Sequence, residues 1–274
     1  MTSWGRLEAL RSIEATPGTL VMGIVNTTPD SFSDGGRYDS TEVAVAHAEQ
    51  LLKEGADIVD VGGESSRPGA EPVDPTVEID RVVPVIEHLA DRCIVSIDTA
   101  KPAVAAAALH AGAHIVNDIT ASLEEVAGAH QAGWMAMHML GEPRTMQVDP
   151  TYDDVVAEIM AALSDAAARG ERAGVPAIWL DPGIGFGKTT GHNLELLRDL
   201  GSFRNLGHEI AVGVSRKRFI GELHASSDGI DVADTHDRLE GSVASAVWAA
   251  RAGARIVRVH DVRSTTHALR LLSG

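Results

Sequence analysis

Short apolar runs rich in β-branched residues recur eight times along the chain, and they limit the possible folds more than any other feature. The runs are residues 20–25, 57–61, 94–97, 114–116, 135–138, 177–180, 209–214 and 255–259. Because they are apolar at consecutive positions, they predict strands buried on both faces of a parallel sheet. Such strands need a crossover, usually a helix, between each successive pair.

The stretches between these runs carry the helical period. In residues 151–170 the apolar side chains fall on one stripe, and Gly170 provides a stop signal. Residues 238–253 show the same pattern, and Asp74 followed by Pro75 predicts a helix start. Eight strands alternating with helices over about 250 residues predict an α/β fold, the (β/α)8 TIM barrel. The alternative is an open doubly wound sheet, but no glycine fingerprint follows the first run.

The chain shows no low-complexity linker that would divide it. We therefore predict a single barrel domain over residues 1–274, with residues 1–18 as an N-terminal extension. The polar composition of residues 219–237 predicts a long exposed loop there.

The overall charge excludes several classes of partner. Lys plus Arg number 23 and Asp plus Glu number 39, which gives a net charge of −16. Nucleic acids and anionic membrane surfaces are bound through cationic side chains, so we expect neither as a partner. No signal peptide or membrane span is evident, which predicts a cytoplasmic protein. Cys93 is the only cysteine, so an intramolecular disulfide is impossible.

Polar side chains follow the predicted strands, at the end where barrel active sites lie. Carboxylate and amide edges suit a flat heterocycle with several N–H donors, and three such residues are Asp98, Asn117 and Asp181. Donor and cationic side chains suit a phosphate-like anion. The residues of this second kind are Arg67, Lys217, Arg258 and His260.

Other tempting features are weaker. The segment 183–189 is similar to a phosphate-binding P-loop, but Pro182 takes the place of its first glycine. Lys188 stands where a dinucleotide-binding fingerprint needs its last glycine. We expect His138 to be a packing residue below the pocket. The tryptophans expected to pack in the interior are Trp134, Trp179 and Trp248.

Nine segments, from about residue 20 to the C-terminus, resemble the dihydropteroate synthase family in the family's order. The two longest and most specific are residues 22–36 (MGIVNTTPDSFSDGG) and 60–70 (DVGGESSRPGA). The others are 96–99 (SIDT), 116–118 (VND), 137–139 (MHM), 145–147 (TMQ), 180–188 (LDPGIGFGK), 215–217 (SRK) and 258–262 (RVHDV).

The resemblance implies a transferase of folate biosynthesis. The amine of 4-aminobenzoate would displace diphosphate from 6-hydroxymethyl-7,8-dihydropterin diphosphate, giving 7,8-dihydropteroate, with early C–O cleavage to a pterin cation. It also implies Mg²⁺ as cofactor, a homodimer, and inhibition by sulfonamides.

The resemblance assigns residues to each part of the site. For the pterin they are Asp98, Asn117, Asp181 and Lys217. For the diphosphate they are Asn26, Arg67, Arg258 and His260, with Asn26 also a Mg²⁺ ligand. For 4-aminobenzoate they are Ser66, Pro68, Gly185, Phe186 and Lys217. Lys217, Asp98 and Arg258 are the expected catalytic residues, and loops 27–37 and 65–73 are expected to close over the site.

Two departures from the family pattern and two alternatives remain. The segment after Asp118 is shorter than usual, which predicts a truncated helix, and Arg218 replaces a common serine.

One alternative is a methyltransferase that moves a methyl group from methyltetrahydrofolate to a corrinoid, although such an enzyme has no use for the diphosphate residues. The other is a pterin-binding paralogue without activity. The basic residues at the strand ends make the acidic net charge compatible with small anionic substrates.

Overall fold

Eight parallel strands pair in sequence order and close into a barrel, which confirms the predicted fold. The computed structural model describes residues 5–27, 37–65, 71–231, 234–235 and 237–273. The strands are β1 Leu20–Asn26, β2 Ile58–Gly62, β3 Ile94–Asp98, β4 Ile115–Asp118, β5 Gly133–Met137, β6 Ile178–Asp181, β7 Glu209–Gly213 and β8 Ala254–Val259. All eight predicted runs coincide with these strands to within two residues at either end.

Helices connect the strands on the outside of the barrel. They are α1 Arg6–Ala15, α2 Arg37–Glu54, α3 Pro75–Leu89, α4 Pro102–His110, α5 Glu124–Ala129, α6 Val155–Arg172, α7 Thr190–Arg198, α8 Arg218–Asp228, α9 Leu239–Arg251 and α10 Val262–Ser273, with a 3₁₀ helix at Leu200–Leu206. Asp74 caps α3 as predicted, accepting a 2.8 Å hydrogen bond from the Thr76 amide. The predicted truncation is confirmed, because α5 has only 6 residues. No helix in the described part of the chain has the length and apolar character that crossing a bilayer requires.

The core has an outer and an inner layer. The outer layer packs the helices against the strands. The inner layer fills the barrel, and it includes Leu10 and Ile13 of α1 beside Met22, Met135 and Trp179. Helix α1 therefore contributes directly to the inner core.

Side chains at two positions hold α1 in place. Arg6 donates from Nε to Ala113 O over 2.9 Å and from Nη2 to Leu109 O over 2.6 Å. Arg255 donates from Nη2 to Thr16 O over 2.6 Å. These bonds fasten both ends of α1 to the barrel.

Two sequence predictions are wrong. Residues 219–228 belong to α8 and not to an exposed loop, because Phe219, Ile220 and Ala225 are buried against the barrel while the polar residues cover the outer face. Trp248 is 57% exposed instead of packed in the interior. Its indole Nε1 donates to Leu197 O over 2.8 Å, which satisfies its polar atom at the surface. Trp134 and Trp179 are buried, as predicted.

Candidate active site

Three of the expected ligand residues lie in one row at the C-terminal ends of neighbouring strands. The strand register aligns Asn26 with Gly62, Gly62 with Asp98, and Asp98 with Asn117. Gly62 leaves the space above β2 open. A Cβ there would lie 3.7 Å from both Asn26 Oδ1 and Asp98 Oδ2. The row therefore presents oxygen donors around a small cradle.

Arg258 crosses the floor of this cradle and binds two carboxylates. Its Nε lies 2.6 Å from Asp60 Oδ2, and its Nη2 lies 2.6 Å from Asp98 Oδ2. Asn117 Nδ2 donates to the same Asp60 oxygen over 3.1 Å. One charge-assisted network thus fixes the orientation of three expected ligand residues.

Asp60 is a central residue that the sequence analysis did not single out. It lies within β2 and is completely buried. Among the described residues, its second oxygen, Oδ1, has no hydrogen-bond partner. An aspartate inside an otherwise apolar run of strand residues was the available signal.

Burial sets the protonation of the acidic residues. The pKa of Asp98 is raised to about 7, chiefly by burial; Arg258 opposes this rise and the nearby Asp60 adds to it. Burial also raises the pKa of Asp181, while the Gly183 amide, which donates to Asp181 Oδ1 over 2.7 Å, lowers it. The pKa of Arg258 is raised by Asp60 and Asp98 despite its burial. The charge of the Asp98 carboxylate therefore changes near neutral pH.

Lys217 faces these carboxylates from the start of α8. Burial, followed by the charge of Arg258, lowers its pKa to about 8, while Asp181 and Asp98 oppose this effect. Its ammonium lies 4.0 Å from the centre of the Phe186 ring. Lys217 thus lies between the ring of Phe186 and the carboxylates of Asp181 and Asp98.

Phe186 belongs to a glycine-rich segment that follows β6. Gly183 and Gly187 have φ values of +67° and +66°, in the left-handed region that glycine tolerates. A Cβ on Gly183 would lie 1.8 Å from His138 O, and a Cβ on Gly187 would lie 2.5 Å from Leu140 O. The glycines therefore allow this segment to pack directly on the backbone that follows β5, which is a different role from a P-loop.

His260 follows β8 and has Ser215 as its neighbour. The two side chains are 3.1 Å apart from Nδ1 to Oγ. Burial, followed by the charges of Arg258 and Arg216, lowers the pKa of His260 to about 3, so the ring is neutral at pH 7. Arg216 pairs with Asp261 through Nη2 and Oδ1 over 2.6 Å.

The remaining residues that the sequence analysis discussed lie outside the described part of the chain or outside the network around Arg258. Arg67, Ser66 and Pro68 lie outside the described residues, as do parts of loops 27–37 and 65–73. Arg218 has a side chain that is 72% exposed and pairs with Glu222 over 2.6 Å. His138 is half-buried and contacts Lys188 Nζ through Nδ1 over 3.1 Å, so it takes part in a polar contact in addition to packing.

The comparison with known families agrees with this geometry. Residues 22–260 match the model of the family described as pterin binding enzyme. A curated dihydropteroate synthase from Escherichia coli strain K12 is 46% identical over 262 residues, covering 93% of this chain and 90% of the relative. The chain belongs to the dihydropteroate synthase family. It is accordingly an enzyme of the transferase class.

Solved dihydropteroate synthases show the same fold. The Yersinia pestis enzyme, in complex with a sulfonamide drug, matches with a TM-score of 0.85 and 42% identity, covering 93% of this chain and 94% of the other. The Xanthomonas albilineans enzyme in complex with 7,8-dihydropteroate matches with a TM-score of 0.82 and 40% identity, covering 93% of each chain.

The donor set fits the Mg²⁺ that the family resemblance implies. Asn26 Oδ1 and Asp98 Oδ2 face the same space above Gly62. Mg²⁺ prefers oxygen ligands, and it is commonly held by one or two protein groups together with water and substrate phosphates. Within the described residues there is no cluster of three or more His, Cys, Asp or Glu side chains that would form a metal centre on their own.

Proposed function

We propose that this enzyme condenses 6-hydroxymethyl-7,8-dihydropterin diphosphate with 4-aminobenzoate, giving 7,8-dihydropteroate and diphosphate. The observation that carries the proposal is the linked set of Asp98, Asn117, Asp60 and Arg258 on the barrel floor, with Lys217 above it. The Xanthomonas albilineans relative was solved with 7,8-dihydropteroate, the product of this reaction.

The floor of the site suits the pterin. Its amino-pyrimidine edge presents adjacent N–H donors, which pair with carboxylate and amide oxygens. In this proposal Asp98, Asn117 and Asp181 accept those hydrogen bonds, and Lys217 donates to an acceptor atom of the ring. Arg258 holds Asp98 and Asp60 in place at 2.6 Å each, so the acceptors do not have to reorganise when the pterin binds.

The chemical step needs charge separation at the pterin methylene. The C–O bond breaks, and its electron pair leaves with the diphosphate. The buried carboxylates stabilise the methylene cation. The leaving anion is stabilised by Arg258, Lys217 and His260. The lone pair of the arylamine then forms the C–N bond, and the amine loses one proton. An arylamine is already nucleophilic, so a strong general base is not required.

Mg²⁺ would be held by Asn26 Oδ1 together with diphosphate oxygens, and it would neutralise charge on the leaving group. In the proposal Gly185, Phe186 and the segment with Ser66 and Pro68 bind 4-aminobenzoate, and Arg67 binds the diphosphate. We further propose a cytoplasmic homodimer, in line with the family resemblance. Light scattering on the purified protein tests the dimer.

The decisive experiment is an assay of the purified protein with the pterin diphosphate, 4-aminobenzoate and Mg²⁺, following diphosphate release. Turnover that depends on both substrates is expected. Absence of turnover in a folded protein that still binds the pterin would instead support the inactive paralogue. Methyl transfer from methyltetrahydrofolate to a corrinoid would support the methyltransferase.

Replacement of Arg258 tests the assignment of the floor. Arg258→Ala should lower kcat/KM by at least about 100-fold, because it removes two charge-assisted contacts. It also leaves two buried carboxylates unpaired, which costs about 3–5 kcal/mol of folding stability. Arg258→Lys, which keeps the charge, is the companion variant. Full activity in both would show that the assignment is wrong.

A further inference from the structure

The glycine-rich segment after β6 is held by two side chains from the connection between β5 and α6 and by Lys188 at its own end. Gln147 Nε2 donates to Gly185 O over 2.6 Å. Lys188 Nζ donates to Phe186 O over 2.9 Å. Tyr152 Oη donates to Gly187 O over 3.0 Å. Three successive carbonyl groups are therefore each bound by a different side chain.

The amide side of the same segment is fixed as well. The Gly185 amide donates to Asn193 Oδ1 over 2.7 Å. The Phe186 amide donates to Gly183 O over 3.0 Å. A segment with left-handed glycines at 183, 185 and 187 has wide conformational freedom in isolation. Side-chain hydrogen bonds restrict it here, where no helix or strand does so.

Lys188 is well placed for this purpose. It is only 3% exposed, and its ammonium also lies 3.1 Å from His138 Nδ1. Burial, followed by the charge of Lys188, lowers the pKa of His138 to about 3, so the imidazole is neutral and can accept this hydrogen bond. Burial also lowers the pKa of Lys188 itself to about 7. Lys188 Nζ lies 6.0 Å from the centre of the Tyr152 ring, so two of the three donors are neighbours. The contacts of the Lys188 amino group are therefore with other residues of the protein.

The position of Phe186 depends on these contacts. Lys217 Nζ lies 4.0 Å from the centre of the Phe186 ring. A Cβ on Gly185 would lie 3.1 Å from Lys217 Cδ. A shift of the segment would therefore move the aromatic ring and the backbone that contact Lys217. Two of the pterin acceptors, Asp98 and Asn117, lie on strands β3 and β4 and belong to a separate hydrogen-bond network. The third, Asp181, is bound by the Gly183 amide, which lies before the three carbonyl groups held by the side chains.

We propose that Gln147, Tyr152 and Lys188 are positioning residues that hold Phe186 against Lys217 and thereby set the affinity for the arylamine substrate. The inference rests on the proposed function, in which Gly185 and Phe186 form the 4-aminobenzoate side. It adds three residues that bind neither substrate but fix the backbone that does.

Steady-state kinetics of Tyr152→Phe and Gln147→Leu test this proposal. Each variant loses one hydrogen bond, so the KM for 4-aminobenzoate should rise by about 3- to 10-fold. The KM for the pterin diphosphate and the Kd of the pterin alone should change by a smaller factor, because Asp98 and Asn117 are held by a separate network. The double variant should raise the arylamine KM by about 10- to 100-fold. Lys188→Met is the third variant, and it is measured only after its fold is verified by circular dichroism.

Gln131→Leu is the matched control. Gln131 Nε2 also donates to a glycine carbonyl, Gly128 O, over 3.0 Å, but it precedes β5 at the opposite end of the barrel. Its kinetic constants should match those of the wild type. If the Tyr152 and Gln147 variants leave the arylamine KM unchanged, or raise both KM values equally, the proposal is overturned. Wild-type turnover is measured separately, so failure of the proposed function would be recognised by itself.

Discussion

Asp60→Asn is the substitution that tests the site network most directly. One Asp60 oxygen, Oδ2, accepts from both Arg258 Nε at 2.6 Å and Asn117 Nδ2 at 3.1 Å. In the variant, the amide oxygen can take this position and keep both bonds. The new NH₂ group then occupies the place of Asp60 Oδ1, which has no partner within the described residues. A buried donor is left unsatisfied, and a buried ion pair loses its negative charge.

The size of the effect follows mainly from the lost charge, because the Oδ1 position already lacks a partner in the wild type within the described residues. A hydrogen bond to a charged group contributes about 1.5–3 kcal/mol, of which the neutral amide retains part. We therefore expect the free energy of unfolding to fall by about 1–2 kcal/mol. For a chain of this size, the melting temperature should then decrease by roughly 2–4 °C. Thermal unfolding followed by circular dichroism measures it.

The same variant should change the pH dependence of pterin binding. The pKa of Asp98 is raised to about 7, and the Asp60 charge contributes to that rise. Removing this charge lowers the pKa of Asp98. Pterin affinity, which needs the Asp98 carboxylate, should then persist to lower pH than in the wild type. An unchanged melting temperature together with an unchanged pH profile would refute the reasoning.

Three further predictions address the rest of the site. Asp98→Asn should fold normally and weaken pterin binding by at least about tenfold at pH 8, but much less at pH 5.5, where the wild-type carboxyl is already protonated; calorimetric titration at both pH values checks this. Gly183→Ala should lower the free energy of unfolding by about 2–5 kcal/mol, because a Cβ would lie 1.8 Å from His138 O at φ +67°. Gly174→Ala, at φ +73° but in open space, is its matched control and should lose only about 1–2 kcal/mol; equal losses would contradict the clash. Sulfamethoxazole should inhibit turnover in competition with 4-aminobenzoate, since the chain has no insertion near residues 65–68 and a Yersinia pestis relative was solved with a sulfonamide drug; inhibition that excess 4-aminobenzoate does not relieve would contradict this.

The strands and the row of ligand residues were predictable because both depend on local signals. A strand buried on both faces must be apolar at consecutive positions, and eight such runs determine the barrel. The carboxyl ends of parallel strands meet at one face, so Asp98, Asn117 and Asp181 had to come together there. The short helix α5 was also predictable, because the segment after Asp118 is shorter than in the family pattern.

Features that depend on contacts between distant residues were not predictable. Asp60 and Arg258 are 198 residues apart, and nothing near either of them in the chain indicates their pairing. Glu78 is an acidic helix residue that is only 1% exposed, because Lys101 pairs with it over 2.6 Å. The apolar residues of α8 are few and separated by polar ones, so its buried side became visible only in the folded chain.

Helix α1 has a consequence for how substrates enter the enzyme and products leave it. Leu10 and Ile13 seal the end of the barrel opposite the site, and Arg6 fastens the helix to the backbone there. Substrates and products therefore share a single mouth. Asp98 ends β3 and Phe186 lies in the segment that follows β6, so both are at the end of the barrel that α1 leaves open.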